Sequence, residues 1–291
     1  ARAKVSENEP NQQMYLHVLD KDTMLTLSFS SLSDIRKKPS YMDTVGGLFF
    51  LKDRPLFVHD PIFAINKPLA LLDVRAADNK DRWITLINLV SGTVKELEHQ
   101  HDDAWIGGPG ISSWNEEEAN LEWIVDGESF YFQSEETGYS TVYRYTISTQ
   151  SKMELFHWNK TEVYQVQLSK DKKSLFLEYN QCDVGFTGNH GFGRLDITAQ
   201  KFVPYANLTK GFNEVLISPD ESRLLIRHST ANHPWELYVM DNQTSASKLT
   251  QITHSTTKAF DAYPWIDPQV ISFKASDGVN VFVRIYEPEA S

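Results

Sequence analysis

The sequence has 291 residues, with 28 lysines and arginines against 39 aspartates and glutamates, and a formal net charge of −11. Such an acidic balance argues against a surface that tracks the phosphates of a nucleic acid. The single cysteine, Cys182, excludes an intrachain disulfide and a cysteine-based metal site. The chain contains no apolar run of the ~20 residues that a membrane span needs, and no signal peptide is visible at its start. We therefore expect no membrane span. A mature form would lack its signal peptide, so we expect a periplasmic or secreted protein and leave the cytoplasm open.

Strand-like segments begin early in the chain. Residues 14–19 and 25–29 alternate apolar and polar side chains, which predicts the last two strands of an incomplete structural unit. Residues 30–40 are polar and basic, and we interpret them as a surface loop. Residues 47–51 and 55–58 predict two further strands that lead into the first complete unit.

A pattern of four short strands then recurs along the chain. The clearest copy is residues 212–253, where the first two strands are joined by Ser218-Pro219-Asp220-Glu221, a sequence with strong turn chemistry. Similar copies surround Asn66, Asp126 and Asp171. From Asp126 to Asp171 is 45 residues and from Asp171 to Asp220 is 49, close to the roughly 40–50 residues of a propeller blade.

This repeat predicts an all-β fold, a β-propeller with four or more four-stranded blades, whose ring can be incomplete. A small antiparallel sheet with apolar side chains on both faces needs a neighbour on each side, and a propeller supplies it. A sandwich of unrelated strands is the alternative.

The distance from Asn66 to Asp126 is 60 residues, which places an insertion at residues 98–120. His99, His101, Asp102 and Asp103 within it are residue types that can bind a metal ion. A solvated polar loop is the alternative and the one that we favour, so we predict no metal site and no cofactor. The glycine-rich run at residues 107–110 is not a phosphate loop, because no helix and no lysine-serine pair follow it.

Three adjacent carboxylates, Glu116, Glu117 and Glu118, end this insertion. Like charges so close together repel one another, and solvent, a cationic neighbour or a bound cation must compensate. The residues alone leave two interpretations open, a solvated acidic loop and a site for a cationic group.

Catalytic residues are not evident in the chain. The Gly-x-Ser-x-Gly motif of a nucleophile elbow does not occur. Ser229 lies beside His228 and close to His233, but it stands next to a turn, where serine usually bonds the local backbone. We therefore predict no catalysis by this chain alone.

The end of the chain departs from the repeat. Asp277-Gly278 separates two β-rich runs, at residues 270–276 and 279–286, and predicts a hairpin. The hairpin is out of phase with the preceding units. We predict a propeller at residues 1–266 and the start of something different at residues 267–291.

Several of these motifs together carry a resemblance. Residues 217–253, with Ser-Pro-Asp, Trp-Glu-Leu-Tyr-Val-Met-Asp and Leu-Thr-Gln-Ile-Thr, resemble the propeller of dipeptidyl peptidase IV-like enzymes in the prolyl oligopeptidase family, as do residues 77–84 and 132–139. The tail with Ser276-Asp277-Gly278 resembles the strand pair that opens the α/β-hydrolase domain of that family. The resemblance covers nearly the whole chain.

The resemblance implies a serine exopeptidase whose propeller restricts access to small peptides. It implies that Glu116, Glu117 and Glu118 bind the α-amino group of a peptide substrate. The partners would be a peptide with a free amino terminus and the chain's own C-terminal α/β-hydrolase domain, with a homodimer left open. The alternative is a stand-alone propeller that binds a protein or another ligand through its loops or channel.

Overall fold

The structure is a computed structural model that describes residues 14–18, 21–37, 53–112, 117–156, 158, 160–181, 188–208, 210–245 and 247–287. The regular secondary structure of these residues is almost only antiparallel strands, with one helix, α1 (Lys258–Asp261), and a 3-10 turn at Ala206–Leu208. The chain divides into two compact units, residues 1–138 with 143–153 and residues 139–142 with 154–291. The predicted strands at residues 47–51 lie outside the described residues.

The first unit contains a hairpin and two sheets. The N-terminal hairpin pairs β1 (Tyr15–Val18) with β2 (Thr23–Thr26). In the first sheet, β3 (Leu56–Val58) and β4 (Ile62–Phe63) both pair with β5 (Leu69–Ala76), and β6 (Asp81–Asn88) and β7 (Val94–His101) follow. The second sheet has the order β11-β10-β9-β8, with β8 (Leu121–Trp123), β9 (Ser129–Ser134), β10 (Thr141–Thr146) and β11 (Ser151–Glu154).

The second unit contains two further four-stranded sheets and the terminal hairpin. The third sheet comprises β12 (Thr161–Leu168), β13 (Ser174–Gln181), β14 (His190–Asp196) and β15 (Lys201–Pro204). The fourth comprises β16 (Phe212–Ile217), β17 (Arg223–Ser229), β18 (Glu236–Asp241) and β19 (Thr250–Gln251). The terminal hairpin pairs β20 (Gln269–Lys274) with β21 (Asn280–Ile285) as a separate two-stranded sheet, so the hairpin predicted around Asp277-Gly278 is confirmed.

The repeat read from the sequence is confirmed by one turn that occurs in each sheet. The carboxylates of Asp126, Asp171 and Asp220 accept hydrogen bonds from the backbone N–H two residues further on, which favours turn over strand. Each turn also contains one residue with a left-handed backbone conformation, namely Asn66, Gly127, Lys172 and Glu221. The four strand pairs therefore begin in the same way, as expected of repeated blades.

Apolar side chains on both faces of the sheets build the core. On the first sheet, Leu72 and Val74 pack with the chain that follows the N-terminal hairpin, while Leu71 on the opposite face packs against the second sheet. In the second unit, Phe192 and Tyr205 of the third sheet pack against Leu224 of the fourth. Within each unit, one four- or five-stranded sheet thus covers a face of the other.

Two predictions of surface loops were wrong. Leu32 and Ile35, in the segment predicted as a surface loop at residues 30–40, are buried against the first sheet, because successive turns place both side chains on one side of the chain. The insertion was predicted to begin at Glu98, but β7 continues to His101, since His101 is the strand partner of Asp81. Polar and less polar side chains alternate along the end of β7 because it is the outermost strand of its sheet, with one side towards solvent.

A buried carboxyl group joins the third and fourth sheets. Glu178 on β13 is 4 % exposed, and its Oε1 accepts a hydrogen bond of 2.6 Å from the backbone N–H of Val215 on β16. Burial raises the pKa of Glu178 to about 7, helped by the charge of Glu214 and opposed by the Val215 hydrogen bond. The folded protein therefore holds the proton of Glu178 more tightly than the unfolded chain does.

We expect Glu178→Gln to flatten the pH dependence of stability. Because the pKa is raised on folding, the protonated carboxyl stabilises the fold below about pH 4.5, and this contribution disappears as the pH rises through about 7. The variant should match the parent near pH 4.5 and exceed its free energy of unfolding at pH 8 by on the order of 2 kcal/mol. Urea unfolding at a series of pH values measures this. The exposed Glu287→Gln is the matched control, and parallel pH profiles of Glu178→Gln and parent would contradict the expectation.

Candidate substrate-binding site

The acidic residues suggested by the sequence lie on the connection between β7 and β8, residues 102–120, here called the acidic connection. Glu117 and Glu118 are exposed and precede Leu121, the first residue of β8. Glu116 lies outside the described residues. What the described structure adds is how both ends of the acidic connection are attached to the sheets.

The entry to the acidic connection is attached to the turn between β5 and β6. The backbone N–H of Asp102 donates to the carbonyl of Lys80 over 3.0 Å, and that of Ile106 donates to the carbonyl of Asn79 over 2.9 Å. The Asp102 carboxylate in turn accepts from the backbone N–H groups of Ala104 and Trp105, and these bonds lower its pKa. These hydrogen bonds pair the backbone N–H groups of the chain after β7 and so fix its direction there.

The exit of the acidic connection is held by Asn120. Its backbone N–H donates to the carbonyl of Gly110 over 2.9 Å, and its side-chain Nδ2 donates to Oε1 of Gln133 on β9 over 2.5 Å. Gly110 has φ +69°, and a Cβ there would lie 1.8 Å from Gln133 Oε1. Only glycine allows this approach, so the sequence at residue 110 is explained by the contact rather than by a phosphate loop.

A buried ion pair lies beneath the middle of the acidic connection. Asp73 on β5 and Arg82 on β6 are joined by hydrogen bonds, the shortest being 2.7 Å from Arg82 Nη2 to Asp73 Oδ2. Arg82 Nη1 donates to the carbonyl of Gln133 on β9 over 2.8 Å, which links the first and second sheets. The hydroxyl of Ser112, the last described residue before the acidic run, donates to Asp73 Oδ1 over 3.2 Å.

Arg75 adds a second buried guanidinium to this network. It is 2 % exposed, and its Nη1 donates to the carbonyl of Ser112. Burial lowers its pKa, opposed by the charge of Asp73 and reinforced by that of Arg82. Its Nη2 is buried with no hydrogen-bond partner. The sequence analysis missed this network, although Asp73 and Arg75 alternate within an otherwise apolar strand and so carried a signal.

Other carboxylates near the acidic connection are compensated by a lysine. Lys152 Nζ lies 2.6 Å from both Glu98 Oε1 and Glu136 Oε2. Burial lowers the pKa of Lys152, but its bonds to Glu136 and Glu98 outweigh burial and raise it. Lys152 thus offsets one of the two negative charges of Glu98 and Glu136 within the protein.

The histidines considered as metal ligands instead contact one buried aspartate. His99 Nε2 and His101 Nδ1 lie 2.8 and 2.9 Å from Asp81 Oδ1, and Arg54 Nη1 lies 2.7 Å from Asp81 Oδ2. Burial opposes ionisation of Asp81, but the hydrogen bonds from His99, Arg54 and His101 prevail and lower its pKa to about 2. Within the described ranges, no group of three histidine, cysteine or acidic residues is placed to hold a metal ion.

The serine near two histidines does not form a catalytic pair in the described structure. His228 Nδ1 is hydrogen-bonded to Asn213 Oδ1 at 2.8 Å, and no hydrogen bond connects it with Ser229. Burial lowers the pKa of His228, as does the charge of His233. This environment does not provide the base-to-nucleophile contact that nucleophilic catalysis needs.

We expect Asp73→Asn to destabilise the fold, because it leaves the Arg82 guanidinium buried without its counter-charge. Losing one partner of a buried pair costs about 3–5 kcal/mol, whereas replacing both by apolar residues costs far less. Urea unfolding should therefore show a large loss for Asp73→Asn and substantial recovery in Asp73→Leu/Arg75→Leu/Arg82→Met, since Asp73 is also the counter-charge of the buried Arg75. Asp22→Asn, at a side chain that is 98 % exposed, is the control. A loss of less than about 1 kcal/mol for Asp73→Asn would contradict a stabilising pair.

Comparison with known proteins gives structural but no sequence relatives. Neither a family model nor a curated protein matches the sequence. Dipeptidyl peptidase 4 of Porphyromonas gingivalis is similar with TM-score 0.68 and 13% identity, over 95% of this chain and 34% of that chain. A protein of Bacteroides ovatus assigned as a dipeptidyl aminopeptidase IV is similar with TM-score 0.62 and 14% identity, over 91% of this chain and 36% of that chain. A puromycin hydrolase is similar with TM-score 0.55 and 16% identity, over 80% of this chain and 34% of that chain.

The chain spans about a third of the length of these similar proteins. At such low identity the likeness concerns the fold alone. No helix among the described residues is long and apolar enough to cross a membrane. The repeated four-stranded sheets and the structural likeness together show an all-β chain with the β-propeller fold of dipeptidyl peptidase IV-like proteins.

Proposed function

We propose that this chain is the propeller region of a serine exopeptidase of the dipeptidyl-peptidase type, and that it gates access and helps bind the amino terminus of a peptide. The observation that carries the proposal is the acidic connection on a fold shared with dipeptidyl peptidase IV. It is attached to the first sheet through Asp102 and Ser112 and to the second sheet through Asn120. Attached ends reduce the entropy lost when the carboxylates engage a ligand.

Glu116, Glu117 and Glu118 are the residues that we propose for binding the α-amino group. Adjacent carboxylates repel one another, and an ammonium group relieves that repulsion while each N–H donates a charge-assisted hydrogen bond. A substrate with a blocked amino terminus lacks the charge and cannot do so. The acidic segment would therefore select peptides by their free amino end.

The chemistry itself belongs, in this proposal, to an α/β-hydrolase domain that follows in the same polypeptide and whose first strands are residues 267–291. Acyl transfer would proceed from the peptide carbonyl to a serine of that domain, since this chain has no Gly-x-Ser-x-Gly motif. The propeller would limit entry to small peptides and position their amino end. A periplasmic or secreted location and a homodimer belong to the same proposal.

The first test separates the chain from the polypeptide that would carry the catalytic domain. We expect the 291-residue chain to leave aminoacyl-proline chromogenic peptides intact, and a polypeptide extended past Ser291 to cleave them, because nucleophile and base lie outside the chain. Release of the chromophore is the measurement. Hydrolysis by the 291-residue chain would refute the proposal that the catalytic residues lie outside it. An extended polypeptide without activity would favour a stand-alone binding propeller.

The second test concerns the amine-binding role. In the extended polypeptide, the triple change of Glu116, Glu117 and Glu118 to Gln should raise KM for free-amine peptides by about tenfold, the equivalent of 1.4 kcal/mol. KM for peptides with an acetylated amino terminus should stay unchanged.

The matched control for the second test removes the same number of exposed carboxylates elsewhere, with Asp60→Asn, Asp261→Asn and Glu287→Gln. It corrects for the general effect of net charge on a cationic substrate. Equal increases of KM for free and acetylated peptides in the Glu116–Glu118 variant would rule out amine binding by these residues.

A further inference from the structure

A pocket of about 460 Å³ lies in the second unit, between the third and fourth sheets. Its floor is one face of the third sheet, and its wall is the turn after β18, residues 242–245. A volume of a few hundred Å³ is in the range of pockets that take small molecules. Nothing in the proposed peptidase role uses this pocket.

The strand register explains which side chains form the floor. Asp196 on β14 pairs with both Ser174 on β13 and Lys201 on β15, and Arg194, two residues before Asp196, pairs with Val203. Because alternate residues of a strand share a face, these five side chains lie on the same side of the sheet. The register therefore brings Arg194 and Lys201 to one surface.

The two cations of the floor have no ion-pair partner among the described residues. The guanidinium of Arg194 is held 5.6 Å from the centre of the Phe176 ring. The Asp196 carboxylate, which shares their face, accepts hydrogen bonds from the backbone N–H groups of Thr198 and Ala199 over 2.9 and 2.7 Å. Among the side chains that line the pocket, two are positive and one is negative, in a chain whose net charge is −11. The carboxylate of Asp171 does not line the pocket, but its hydrogen bond from Ser169 and the charge of Arg194 lower its pKa.

The wall of the pocket is fixed by hydrogen bonds at both ends. The Tyr205 hydroxyl donates to Asn242 Oδ1, and Asn242 Nδ2 donates to the carbonyl of Glu221 over 2.8 Å. At the other end, Asn207 Nδ2 donates to the carbonyl of Ser247. Burial raises the pKa of Tyr205 to about 12, so its hydroxyl remains a donor at physiological pH.

Between these fixed ends, the wall presents side chains that can bond a ligand. Gln243, Thr244 and Ser245 line the pocket, and their side chains make no hydrogen bond in the part of the chain that the structure describes. An amide and two hydroxyls thus face two cations across the pocket. This arrangement suits a ligand that has an anionic group at one end and hydroxyl groups at the other.

We propose that this pocket, formed by Arg194 and Lys201 on the floor and residues 242–245 on the wall, binds a small hydroxylated molecule that carries an oxyanion group. Arg194 binds the oxyanion through its planar N–H fork, and Lys201 supplies a second charge. The wall side chains bond the hydroxyl groups. The site does not depend on the peptidase role, so either proposal can fail without the other.

Isothermal titration of the 291-residue chain with three probes tests the proposal. Glucose 6-phosphate combines both features, inorganic phosphate has the oxyanion alone, and glucose has the hydroxyls alone. We expect affinity to decrease in that order, with no binding of glucose. Affinity for the two anions should fall with added salt, because the cations are exposed and screened by ions.

Single variants locate the site. Arg194→Gln and Lys201→Gln should each weaken glucose 6-phosphate binding about tenfold, since each removes a charge-assisted hydrogen bond to the oxyanion. Ser245→Glu, which places a negative charge on the wall, should abolish it while keeping both cations. Lys95→Gln removes an exposed cation from the other unit and should bind as the parent does.

Circular dichroism should show that each variant is folded, because the substituted side chains are exposed in the parent. Three results would overturn the proposal. The first is no heat of binding with about 10 mM of either anion, a concentration well above a Kd of 1 mM. The second is equal affinity for glucose and glucose 6-phosphate. The third is an affinity for glucose 6-phosphate that is unchanged in both Arg194→Gln and Lys201→Gln.

Discussion

The small antiparallel sheets of this chain must bury both of their faces. In β5 every residue from Ala70 to Ala76 is buried, and β9 is buried throughout. A sheet of four short strands cannot supply that cover by itself, so the face of the next sheet must provide it. The two large clusters centred on Trp123 and on Leu224 are such sheet-to-sheet contacts, each within one unit. Repetition of the sheet along the chain follows from this need.

The buried polar network of the first unit modifies that constraint at one place. Asp73 and Arg75 stand on the face of β5 that also carries Leu71, and that face meets the second sheet. A polar pair there gives up apolar contact and bears a desolvation cost. In return, Arg82 and Ser112 connect the first sheet, the second sheet and the acidic connection through directional hydrogen bonds. Apolar packing alone would not determine where that connection lies.

Much of the fold could be predicted because its strongest signals are local. An aspartate that bonds the backbone two residues later makes a turn from adjacent residues alone, and Asp126, Asp171 and Asp220 each do so. Predictions that depended on distant partners were wrong. The polar stretch from Glu98 to His101 is a strand only because β6 extends far enough to pair with it. Leu32 and Ile35 are buried only because Leu72 and Val74 face them.

The repeated strands, their turns and the terminal hairpin could be predicted from the amino-acid sequence, since they depend on neighbouring residues and on periodicity. The position of the three glutamates along the chain could be read from it directly. The contacts among Asp73, Arg82 and Ser112 became visible in the folded chain alone. The same holds for the pocket that Arg194 and Lys201 share with residues 242–245. Pairing register and the packing of one sheet on the next bring together side chains that are tens of residues apart. Such contacts leave no local pattern, because each residue is compatible with many partners until the sheets have paired.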